Sequence, residues 1–198
     1  IAAYTIDSLL GLNLVPKTVL REVNGMGKGA LRQYIPNFRT FAQIKEDAME
    51  DESDDEFTDE FIAQCNLRKA FAYLVNDRDS HGNNWGVDTD TKKIVVIDQA
   101  LSFGTEDPKN SKWFQQGIGR NPELLSKLQT ISNHTLMHAL ERVEVDGIPF
   151  PETEIEDIIR RKEQLETLLL NLETDASEDD ECLIRSPQNN AVAESLLF

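Results

Sequence analysis

Three polar residues in one stretch of this chain have the chemistry to move a phosphoryl group: Asp79, Asn84 and Asp98. They sit in LVNDRDSHGNNWGVDTDTKKIVVIDQALSFG, residues 74–104. Phosphoryl transfer from ATP asks a protein to position a hydroxyl nucleophile and to neutralise charge with magnesium, and little else. A carboxylate at Asp79 can accept or orient the hydroxyl proton. The amide oxygen of Asn84, five positions on in the same loop, and the carboxylate of Asp98, ending the apolar run IVVI, are hard oxygen donors of the kind magnesium takes. The spacing from Asp79 to Asn84 fits the pattern D-x-x-x-x-N. That pattern is common by itself, and its meaning comes from the elements around it.

The elements that must hold these residues are legible on either side. DEFIAQCNLRKAFAYLV places Phe61, Ile62, Cys65, Leu67, Ala70, Phe71, Leu74 and Val75 at helical spacing, which predicts a buried helix feeding the polar loop. NWGVD and KIVVID then predict two short strands joined by the turn TDTK. Upstream, Ile6, Leu9, Leu10 and Leu12 form a helical stripe that stops near Gly11 to Asn13. Residues 15–23 and 30–35 are strand-like and flank NGMGKG, whose Asn-Gly opening favours a hairpin turn over a phosphate cradle. Downstream, a loop over residues 104–121 leads to helices at PELLSKLQTIS, NHTLMHALERV and ETEIEDIIRRKEQLETLLLNL. Asn121 and Pro122 supply the cap and first-turn proline of the first, and Pro149 and Pro151 lead into the last. There is no internal repeat.

Composition bounds the partners. A chain of 198 residues with 39% hydrophobic content can build one core, and its net charge of −16 disfavours nucleic acid and tight adsorption to anionic lipid. The acid is concentrated in residues 45–60 and 174–181, read as a solvated linker or insertion and a disordered tail, with an acidic docking site as the alternative. Cys65 and Cys182 show no disulfide or zinc spacing, so a reducing, cytoplasmic compartment is expected. No run has the length of a membrane span or the grammar of a signal peptide. The opening at Ile1, in mid-helix, is what a fragment would show.

LVNDRDSHGNNWGV followed by KIVVIDQALSFG resembles the catalytic and metal-binding loops of phosphatidylinositol 3/4-kinase-like enzymes, nearest the type II phosphatidylinositol 4-kinases. AAYTIDSLLGLNLVPKTVLREV is similar to their helix and following strand, and DSHGNN also resembles the catalytic loop of HipA-type bacterial protein kinases. The likeness spans roughly residues 2–103, interrupted by the acidic linker. It implies an α+β chain: a mostly helical, protein-kinase-like C-terminal lobe with a catalytic β-hairpin, preceded by a helix and two strands of an incomplete N-terminal lobe. Residues 1–44 would be the lobe remnant and hinge, 45–60 the linker, 61–173 the C-lobe and 174–198 the tail. By the same resemblance Asp79 is the catalytic aspartate, Asn84 and Asp98 are the magnesium ligands, and Tyr34 and Ile35 belong to a hinge whose backbone receives the adenine of ATP. His81 falls where related loops carry a histidine, either aiding transfer or orienting Asp79, or simply bonding within the loop. Asp77 and Arg78 are read as bracing residues.

Other features depart from that pattern or allow another reading. No glycine-rich phosphate loop or strand lysine is found, so ATP would need an upstream part to grip its phosphates. DRDSHGNNWGVD also resembles a calcium loop through Asp77, Asp79, His81, Gly82 and Asp88, though Asn84 stands at the apolar position and Asp88 where a glutamate belongs. A pseudokinase or interaction module is the remaining alternative. The acceptor is either a protein Ser/Thr hydroxyl, favoured by charge, or a phosphoinositide. The latter would need membrane contact from Lys109, Lys112, Arg120, Trp113 and Phe114, a contact that the sequence leaves open.

Overall fold

The computed structural model describes residues 1–25, 27–51, 58–104, 118–145 and 147–175. It is a mixed α+β structure in which small antiparallel sheets precede a helical end. Helix α1 (Ala2–Leu10) buries Ala2, Ala3, Ile6 and Leu10 and stops at Gly11, whose left-handed backbone at φ 59° closes the helix as glycine does readily. Asp7 on that helix turns inward. Its carboxylate accepts the backbone N–H of Leu14 at 2.9 Å, fixing the chain reversal after the helix, and burial raises its pKa to about 6.

Strands β1 (Thr18–Val23) and β2 (Gly27–Arg32) pair antiparallel, with Thr18 opposite Arg32 and Val23 opposite Gly27. The turn is tighter than the glycine run suggested. Gly27 and Gly29 are drawn into the strand, and residues 33–35 lie beyond it. A third strand that periodicity missed, β3 (Phe38–Thr40), pairs with β4 (Trp85–Asp88), which pairs in turn with β5 (Lys93–Val96). At three residues, β3 is too short to show alternation. Gly86 is what permits its approach, because a Cβ there would lie 1.9 Å from the Arg39 carbonyl oxygen.

Helix α2 (Phe41–Asp51) corrects the linker expectation in part, since residues 45–51 are helical. Phe41 and Ile44 are buried and anchor a helix whose charged residues Glu46 and Asp47 lie on an outer face. Helix α3 (Asp59–Leu74) is capped by Thr58, whose hydroxyl accepts the Phe61 N–H. Its buried set includes the apolar stripe at Phe61, Cys65, Ala70, Phe71 and Leu74, but also Arg68 and Lys69. Helices α4 (Pro122–Thr130), α5 (Asn133–Leu140) and α6 (Glu152–Asp175) follow, with a two-residue-per-strand hairpin, β6 (Glu144–Val145) and β7 (Ile148–Pro149), between α5 and α6. α6 packs on α3, α4 and α5, and α1 packs on α5. A single apolar cluster joins Ile6, Phe71, Trp85, Ile94, Leu128, Leu140, Ile158 and Leu165. Helix α6 extends past Glu173, where the tail was expected to begin, and residues 176–198 lie outside the described residues. No helix among the described residues is long and apolar enough to cross a membrane.

Candidate active site

The polar loop begins where α3 runs out. Val75 ends the helix, and Asn76 takes a left-handed turn at φ 50° that asparagine tolerates better than most residues. The loop then closes on itself. Asp77 is buried, and its Oδ1 accepts the N–H of Asp79 at 3.1 Å. The side-chain amide of Asn84 donates to both the carbonyl oxygen of Asp79, at 2.8 Å, and its carboxylate Oδ2, at 3.0 Å. Asp79 and Asn84 are thus in direct contact, with the carboxylate of Asp79 only partly buried. Because the Asn84 nitrogen is occupied, its amide oxygen is the atom left for a ligand.

Asp98 is brought to the same end of the sheet by register. Trp85 lies opposite Val96, and the N–H of Ile97 donates to the carbonyl of Asn84 at 2.9 Å, so Asp98 leaves the strand beside the loop. It is exposed, and its Oδ1 accepts the Ala100 N–H at 3.0 Å. His81 is exposed, with Nε2 3.4 Å from Asp79 Oδ1 and Nδ1 accepting the N–H of Asn83 at 3.2 Å. An accepting Nδ1 places the neutral ring's proton on Nε2, facing Asp79. His81 therefore bonds within the loop and lies beside the Asp79 carboxylate.

Tyr34 and Ile35 lie away from this loop and line a cavity of about 550 Å³. The walls include Tyr4, Val15, Phe38 and Val96, and Ile97, Gln99 and Ala100 bring the cavity alongside Asp98. Its lining is predominantly apolar and open on one side, as suits a flat aromatic ligand.

Two arginines that no spacing in the sequence marks support the site from below. Arg68 is 3% exposed, donates to the Ser80 hydroxyl in the loop, and stacks its guanidinium 4.2 Å from the centre of the Trp85 ring. Burial lowers its pKa to about 10, which leaves it charged at neutral pH. Arg161, on α6, is fully buried. Asp77 and Arg78 act as braces: Asp77 Oδ2 accepts from Gln99 Nε2 at 3.1 Å, and Arg78 Nε donates to the Leu101 carbonyl at 3.3 Å. α2 adds a further brace, with the Ala42 N–H donating to Gly82 at 3.0 Å and Phe41 stacked on Trp85 at 4.2 Å.

The geometry gives the calcium reading no support. The oxygens of Asp77 are taken by Asp79 and Gln99, while Asp88 caps the β4–β5 turn through the Asp90 N–H and Thr91 hydroxyl. Among the described residues, no group of three or more His, Cys, Asp and Glu side chains could hold a metal ion. Of the residues considered for membrane contact, Arg120 pairs with Glu173 at 2.7 Å, and Lys109, Lys112, Trp113 and Phe114 lie outside the described residues.

No family model matches the chain, and no curated protein matches it. Among solved structures, the crystal structure of a Helicobacter pylori proinflammatory kinase, CtkA, superposes with a TM-score of 0.49 at 15% identity, covering 86% of this chain and 79% of that one. At that identity and superposition the likeness assigns no activity to the present chain.

Proposed function

We propose that the chain carries the proton-orienting and metal-holding half of an ATP- and magnesium-dependent kinase that transfers a γ-phosphoryl group to an alcohol. The observation that carries this reading is the direct bond between Asn84 and Asp79, with the end of strand β5 registered against Asn84 so that Asp98 emerges beside them. Asp79 accepts the proton of the acceptor hydroxyl as its oxygen bonds to phosphorus and the bond to the ADP oxygen breaks. Asn84 holds one oxygen of Asp79, and Nε2 of His81 lies 3.4 Å from the other, so the carboxylate is oriented before the acceptor arrives. The free amide oxygen of Asn84 and the exposed carboxylate of Asp98 fit magnesium, which takes few protein oxygens and completes its shell with water and phosphate. When bound, the ion would neutralise charge on the transferring group. The adenine would enter the cavity between Tyr34 and Ile35 on one side and Val96 and Ile97 on the other.

The acceptor is proposed to be a protein Ser/Thr hydroxyl, since a chain of net charge −16 is repelled by anionic lipid surfaces. Asp79→Ala and Asp98→Ala, in a protein containing whatever segment grips the ATP phosphates, should each lower ATP turnover by at least roughly a hundredfold with circular dichroism unchanged. Turnover like that of the wild type in either variant would remove the kinase assignment. Radiolabelled ATP offered to protein substrates and to phosphoinositide vesicles side by side decides the acceptor, and label found only in lipid would overturn the choice of protein.

A further inference from the structure

We infer that Arg161, together with Glu154, is a positioning residue of the site: from helix α6 it ties the exit of the Asp98 loop to the entry of the Asp79 loop. The segment that carries Asp98 is described from strand β5 to Gly104, and at Phe103 and Gly104 it is held in an unusual shape. Phe103 has φ 70° and Gly104 φ 106°. A left-handed phenylalanine costs on the order of 1–3 kcal/mol and persists only where its surroundings over-determine it.

The surroundings here are specific. The Phe103 N–H donates to the Val75 carbonyl at 2.6 Å, and its ring packs edge-on against Phe150. The peptide groups of Gly104 are gripped from both sides: its N–H donates to Glu154 Oε2 at 2.7 Å, and its carbonyl accepts from Asn76 Nδ2 at 3.1 Å and from Arg161 Nη1 at 3.3 Å. Arg161 Nε donates at the same time to the carbonyl of Leu74, the last residue of α3, at 2.9 Å. One guanidinium therefore spans the Leu74 carbonyl, where the Asp79 loop starts, and the Gly104 carbonyl, six residues beyond Asp98.

Packing alone does not call for an arginine there. The side chain is 0% exposed, and its Nη2 is buried without a hydrogen-bond partner among the described residues. Desolvating a guanidinium costs several kcal/mol, so an apolar side chain of similar volume would serve the helix packing at least as well. What the planar fork provides, and an aliphatic chain does not, is two donors at a fixed separation. The β4–β5 register and the Ile97–Asn84 bond bring Asp98 to the base loop, and the fork adds a second tie at Leu74 and Gly104; among the described residues the exposed Asp98 carboxylate is held by the neighbouring Ala100 N–H alone.

This rests on the kinase reading for its consequence and on geometry alone for the tie, and the experiment separates the two. Arg161→Lys keeps the charge but reaches one carbonyl where arginine reaches two; Glu154→Ala releases the other side of Gly104. Amide exchange in the nucleotide-free chain should become roughly tenfold faster at Phe103 and Gly104 in both variants, the expected loss for one charge-assisted hydrogen bond, with β4 and β5 amides unchanged. Unchanged exchange at those two amides overturns the tie, whatever the activity. In the active protein, Arg161→Lys should raise the magnesium concentration for half-maximal turnover by roughly tenfold and leave the KM for ATP at saturating magnesium unaltered. Faster exchange with an unchanged magnesium requirement overturns the positioning role. A wild type that turns over no ATP removes the kinase reading and, with it, the positioning role; the amide exchange still decides the tie.

Discussion

Hairpins β1–β2 and β4–β5 are both short antiparallel pairs closed by polar turns, and they differ in what surrounds them. β2 is exposed along its whole length, and its sheet contains β1 alone. β5 buries Ile94, Val95 and Val96, and its sheet continues through β4, where Trp85 is 2% exposed, to β3. The second hairpin is also packed against α3 and gripped through its flanking loops by α2 and α6. A two-stranded ribbon with one strand exposed and the other at most half-buried depends heavily on its cross-strand contacts. A hairpin driven into a core can hold polar residues at its ends to within the tolerance that chemistry needs. Between them runs a strip in which Leu12 and residues 14–16 are buried, fastened to α1 by Asp7 and to β5 by the bond from the Val96 N–H to the Leu14 carbonyl.

The sharpest way to break this contrast is at Trp85. Trp85→Ala removes the ring shared by Phe41 and Arg68 and should cost about 3–5 kcal/mol in urea unfolding. A cost under about 1 kcal/mol would place β4 among lightly held elements, like β2. The strip between the hairpins gives a smaller, pH-dependent effect. Asp7 has its pKa raised to about 6 in the fold, against about 4 in an unfolded chain, so the folded state binds the proton more tightly. Its contribution is fully present below about pH 4 and is lost as the pH rises through 6, on the order of 2–3 kcal/mol in all. Asp7→Asn should flatten the stability profile across that window relative to the wild type, and parallel profiles for the two proteins would refute the assignment. The smallest change is expected on the exposed ribbon. Leu31, 56% exposed on β2, should tolerate Leu31→Lys within about 0.5 kcal/mol, and a thermal shift corresponding to more than about 1 kcal/mol would show that the ribbon is held by more than its own pairing.

Much of the arrangement was legible before any coordinates. The helical stripe from Phe61 to Leu74, the TDTK turn and the Asn121 cap followed by Pro122 all lie where period, turn chemistry and capping put them, because each is set by residues close in sequence. The strand β3 and the first half of the acidic span were misread. A three-residue strand owes its existence to a partner and to the missing side chain at Gly86, and α2 owes its own to the burial of Phe41 and Ile44. Neither cause appears in local periodicity.

The order and spacing of Asp79, His81, Asn84 and Asp98 belong to the sequence alone, since side chains within one loop, or at the end of one strand, reach each other through short stretches of backbone. The closeness of the two loops was decided only in three dimensions. Arg161, 57 residues beyond Gly104 in the chain, and Glu154, 50 beyond it, reach the same peptide because α6 packs back across α3. Read as sequence, Arg160 and Arg161 are a charged pair on a long helix. The fold leaves Arg160 half-exposed beside Asp157 and drives its neighbour into the core, because adjacent residues on a helix face directions about 100° apart and only one of them can meet the site.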